Sequence, residues 1–166
     1  MPEGNNYTGS AQWYISAPND VAVCIDRLAG RRITGRLYHR YSTEAIPFLT
    51  GEQVVYRMEE LFDRLRFPYA ATSERTFGGE KWAHAPAPAV QECVMDNREL
   101  LSKHGDLGTF IIRVRHRQNS SWQGAVTWME ADKTVQFRSV WELIKLIEGA
   151  MDTGEEVERV SWTDDK

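Results

Sequence analysis

Long apolar runs are missing from this chain of 166 residues. A membrane-spanning helix needs about 18 to 20 such residues in succession, so none is expected. The first ten residues, MPEGNNYTGS, lack both the basic and the apolar part of a signal peptide, which makes a cytoplasmic location the expectation. Cysteine is scarce: Cys24 and Cys93 form no CxxC pair, which argues for reduced thiols and against a disulfide scaffold. The four histidines, His39, His84, His104 and His116, make no HExxH pattern and have no companion cysteines at ligand spacing, so no metal is expected. A GxSxG nucleophile turn is absent, and GGEK at Gly78 to Lys81 falls short of the phosphate-loop pattern. Glu59, Glu60 and Asp63 read as one exposed helix face. These absences point away from an enzyme and from any cofactor.

Hydrophobic residues make up 42% of the chain, enough for a core in one domain or two small, closely packed ones. The net charge of −4 is unevenly distributed. From Glu148 onward there are 7 acidic and 2 basic residues, which leaves 17 acidic against 18 basic in the body. The acidity therefore belongs to the tail, and a near-neutral body neither demands nor excludes an anionic partner.

Slid against itself, the sequence repeats at a constant offset of 89, with Gly35 on Gly124, Phe48 on Phe137, Glu59 on Glu148 and Asp63 on Asp152. Apolar positions correspond as well: Val23 with Ile112, Ile25 with Val114, Leu37 with Val126, and Val55 with Ile144. Thr50 and Ser139 are equivalent N-cap candidates, each with a capping-box partner three residues later, Gln53 and Glu142. After each cap, apolar residues recur at helical spacing. Trp141 and Leu146 lie off the second stripe, which predicts an interface there with the other repeat or another subunit.

Three strand-like stretches precede each helix, at residues 21–27, 33–40 and 45–48 and again at 110–117, 122–129 and 134–138. An odd, three-residue loop at Gln118, Asn119 and Ser120 puts Phe110, Ile112, Val114, Trp122, Val126 and Trp128 on one face. The same loop at Ala29, Gly30 and Arg31 unites Val21, Val23, Ile25, Ile33 and Leu37, whereas a two-residue loop is expected to scramble the pattern. The expected class is α+β, a tandem duplication of a βββα unit. Its antiparallel sheets lie side by side with helices packed on one face, related by a pseudo-twofold axis. Residues 1–20 form an N-terminal extension, 21–65 the first repeat, 66–109 a partly flexible linker with a possible short helix, 110–152 the second repeat, and 153–166 an acidic tail.

The opposite sheet face is expected to carry Arg113, Arg115, Arg117, Gln123 and Thr127 in one copy, and Asp26, Thr34, Arg36, Tyr38 and Arg40 in the other. Alternating arginines on a strand stand about 7 Å apart, close to the spacing of phosphates along an extended single strand. Tyr38, with a partly exposed Trp128, would supply a stacking surface.

At RQNSSWQG, FRSVWELIKLI and MEELFDRLRFP the chain resembles a family of short Firmicutes-type proteins, across both repeats. That resemblance carries no assigned activity. The helix entries PFLTGEQVVYRMEELFD and QFRSVWELIKLIEGAMD more loosely resemble those of Pur, Whirly and related single-strand binders, which use duplicated strand-rich units of four strands ending in a helix. It implies single-stranded DNA or RNA as partner. RVRHRQNSSWQG also resembles the cyclic-di-GMP motifs of PilZ domains, which implies a small nucleotide signal, although the two motifs nearly abut here. A protein-interaction adaptor or homodimer built on Trp141 and Leu146 is the competing expectation.

Overall fold

The computed structural model describes residues 17–71, 74–81 and 91–152. Its centre is one six-stranded antiparallel sheet in the order β3-β2-β1-β6-β7-β8, so the two expected sheets are joined edge to edge into one. The strands are β1 (Val21–Ala29), β2 (Arg32–His39), β3 (Ile46–Phe48), β6 (Gly108–His116), β7 (Gln123–Trp128) and β8 (Lys133–Phe137). A separate hairpin, β4 (Glu74–Thr76) with β5 (Gly79–Lys81), stands outside that sheet. Among the described residues there are three helices: α1 (Gly51–Leu65), α2 (Asn97–Leu101) and α3 (Val140–Asp152).

The join runs through β1 and β6, where Val21 faces Ile112, Ala22 faces Ile111 and Val23 faces Phe110. VAVCI and FIIRV are near-continuous apolar runs because these central strands are covered on both faces. On one side α1 and α3 bring Val54, Met58, Leu61, Phe62, Leu143 and Ile147 onto the inward side chains of β1, β2, β6 and β7. The capping expectation holds in both helices. Thr50 Oγ1 accepts from the Gln53 amide and Ser139 Oγ from the Glu142 amide, while the Gln53 and Glu142 side chains reach back to the amides of Leu49 and Arg138.

The inward apolar sets form as expected, but by a different route. In the first hairpin Ala29 pairs with Arg32, so the loop is the two residues Gly30 and Arg31. In the second, Asn119 and Ser120 both adopt positive φ, 54° and 57°, and the Ser121 amide donates to the Gln118 carbonyl, a two-residue turn of the primed type. Parity is restored by a β-bulge in each hairpin, between Ile25 and Arg27 and between Val114 and His116. Gly35 and Gly124 sit opposite these bulges, where a Cβ would collide with the carbonyls of Cys24 and Arg113. A bulge adds one residue to one strand, so an even loop plus a bulge keeps the register that an odd loop alone would set.

Candidate interaction surfaces

The second face of the sheet is covered along its first half. Met95, Leu100 and Leu101 pack on Ala22, Cys24, Tyr38 and Ile111, so the segment 91–107 with its short helix α2 is part of the fold. The Val94 and Met95 amides donate to the Arg40 carbonyl at 2.8 and 3.0 Å, and the Leu107 amide donates to the Ile25 carbonyl at 2.9 Å. Burial at that interface pushes the Cys24 thiol up to about 12.

Of the residues expected to form a binding face, few are brought together in the open. Arg36 donates to both Asp26 carboxylate oxygens (2.9 and 3.0 Å), to the His104 carbonyl and to the Tyr38 hydroxyl. Its guanidinium holds the Asp26 carboxyl below the usual range. Tyr38 is buried, with the Lys103 ammonium 5.3 Å from its ring centre. Arg40 donates to Asn97. Arg113 grips Asp20 through two bonds of 2.8 Å, and the Asp20 side chain is fully buried. Asn19, also buried, donates to the Val114 carbonyl. Of those expected arginines, Arg115, in the bulge, is the one left exposed, and it donates to Gln136. Trp128 lies on the helix side, stacked on Phe110 at 6.2 Å, so it presents no stacking surface beside Tyr38.

Arg117 is the clearest displacement. The bulge after Val114 turns its side chain from the expected face to the helix side, where it is 5% exposed. There it donates to Glu59 at 2.9 Å, to Asp63 at 2.7 Å and to the Pro68 carbonyl at 2.7 Å. Trp122 donates to the other Glu59 oxygen at 2.8 Å and meets the Phe62 ring edge-on. The acidic face of α1 is therefore tied to the end of β6, not an independent solvated row. The available sequence signal was a glycine inside each second strand, a common companion of a bulge.

On the outside of the helical layer, Trp141 is 65% exposed, with the Lys145 ammonium 5.1 Å from its ring centre. Gly149 follows on the same stripe and has nothing within contact range of a built Cβ. Leu146 is half-buried and packs against the core, so of the two residues predicted at this interface only Trp141 projects outward.

Among the described residues no cluster of His, Cys, Asp and Glu could hold a metal ion, and no helix is long and apolar enough to cross a membrane. No protein-family model, curated protein or solved structure matches the chain.

Proposed function

We propose that this chain is a non-enzymatic binding protein, a duplicated βββα unit that contacts another protein through the outer face of α3. Duplication is supported by equivalences at the offset of 89: both bulges, both glycines opposite them, and both capping networks. A pseudo-twofold axis would pass beside the Ala22 and Ile111 pair.

The observation that carries the protein-partner reading is Trp141. Trp141 stands 65% exposed in the first turn of α3, with Lys145 its one ring contact among the described residues, and tryptophan is among the residues enriched at energetic centres of protein interfaces. Gly149, two turns on, leaves room for a partner's backbone at a position where alanine would favour the helix. Single-stranded nucleic acid is the second reading. It is favoured by exposed Arg115, which donates to the neutral Gln136, and it does without Arg36 and Arg113, whose forks are held by carboxylates.

The test replaces Trp141 with a photocrosslinking phenylalanine derivative in the full chain inside producing cells. A discrete crosslinked protein, lost when the probe is moved to Glu60, is the expected result. No crosslink at 141, together with salt-sensitive binding of labelled single-stranded DNA or RNA that Arg115→Ala abolishes, would transfer the assignment to nucleic acid.

A further inference from the structure

The two edges of the sheet are built differently although they occupy corresponding places. On β3, Pro47 stands opposite Arg36; on β8, Gln136 stands opposite Ala125, 89 residues further along in both strands. Proline cannot donate to a neighbouring strand, and β3 has only three residues, so that edge is closed to strand addition. β8 has five residues and no proline, and four of the five are exposed. Among the described residues nothing pairs with its outer side. Val135 points to the helix side, yet it is 44% exposed, whereas Ile46 at the corresponding place on β3 packs against the core. The helical layer thus covers Phe137 at the end of β8 but leaves Val135 exposed.

We infer that β8 is an open docking edge, and that its occupant is a second copy of this chain, added antiparallel about Val135. That register is self-complementary. Asp132 and Arg138, both exposed, lie three residues to either side of Val135, so each Asp132 would come opposite the partner's Arg138 at the two ends of the ladder, where Arg138, 3.4 Å from Glu142 of its own chain, would bridge both acids. Between them, Val135 faces its own copy and Thr134 faces Gln136. Lys133 falls opposite Phe137 and leaves the middle of the edge uncharged. The two sheets become one continuous sheet, and the exposed face of Val135 is covered by the neighbouring copy. Docking at β8 does not depend on the Trp141 reading.

Sedimentation of the full chain over a range of concentrations tests the inference. The wild type is expected to reach twice the monomer mass. Gln136→Pro copies the proline of the closed edge into a position whose pairing with β7 has the same register, so it should remain folded and sediment as a monomer. Val135→Cys in a Cys93→Ser background, oxidised, should give a covalent dimer through a single 135-to-135 bond, and Trp141→Asp should leave the dimer intact. If Gln136→Pro unfolds, Val135→Lys takes its place, with loss of the dimer expected. A wild type that stays monomeric throughout, a dimer that survives a folded edge variant, or a dimer lost in Trp141→Asp would each overturn the inference.

Discussion

The buried guanidinium of Arg117, at the end of β6, donates to the Glu59 carboxylate on α1 at 2.9 Å, across 58 residues of chain. The same carboxylate accepts from Trp122, so one acid ties α1 to both strands of the second hairpin. At the corresponding place in the first hairpin stands Leu28, packed against the core. Arg117→Ala should therefore lower stability by about 3 kcal/mol, since it leaves a void and takes the guanidinium from Glu59 and Asp63, though Glu59 keeps its bond from Trp122. Arg117→Met, which fills the volume but takes the guanidinium from the same two carboxylates, should cost about 2 kcal/mol, because only the void is avoided. Urea unfolding monitored by circular dichroism measures both, and equal losses in the two variants would contradict this account.

Glycines separate into two kinds. Gly35→Ala and Gly124→Ala force a Cβ into a backbone carbonyl and should each cost about 2 kcal/mol or more. Gly149→Ala meets open space on a helix surface and should add about 0.5–1 kcal/mol. Thermal melting of the three variants checks the contrast; a stabilised Gly124→Ala would show that the bulge geometry is wrong.

The arginines should sort by partner rather than by face. Arg113→Ala abandons the fully buried Asp20 and should lower stability by about 2–4 kcal/mol, whereas Arg115→Ala should change it by no more than about 0.5 kcal/mol. Chemical denaturation decides. Equal effects would restore a common, solvated arginine row.

His39 is buried, and burial lowers its pKa from 6.5 to about 4. The folded value lies below the unfolded one, so the unfolded chain takes up the proton first. The cost is absent above pH 6.5, grows as pH falls toward 4, and reaches up to about 3 kcal/mol below that. Asp26 shifts downward too, through its Arg36 hydrogen bond, so its contribution is lost only at lower pH as the carboxyl protonates. Stability measured between pH 7 and 4 should fall in the wild type and much less in His39→Phe. Parallel curves would remove His39 as the cause.

The two cysteines should differ in reactivity. Cys24 is fully buried with its thiol raised to about 12, while Cys93 is exposed. A disulfide reagent at pH 8 should titrate one thiol in the native protein and two after unfolding. Loss of that single native thiol in Cys93→Ser confirms the identity.

Much of the fold was readable because it is written in local periodicity. Thr50 and Ser139 cap helices whose first turn and apolar stripe follow from spacing alone, and the inward sets of the strands follow from alternation. What alternation carries no trace of is a single inserted residue. The bulges after Ile25 and Val114 left the apolar sets intact, with even loops in place of odd ones, and moved Arg117 to the other side of the sheet. Nor did composition show that 91–107 would fold over the sheet, since Met95, Leu100 and Leu101 are too few to form a periodic stripe.

By itself, then, the sequence determined the α+β class, the helix starts and the residues that face the main core, because hydrophobic spacing and capping act within a few residues of one another. Only the tertiary structure decided that β1 and β6 join the halves into one sheet, that Asp20, Asp26 and Glu59 engage the arginines, and that β8 lies at the edge of that sheet. Those outcomes depend on which charged groups meet across 10 to 93 residues of chain and on which edge carries a proline. A buried guanidinium settles where a carboxylate can satisfy it, and that partner is fixed by packing rather than by sequence distance.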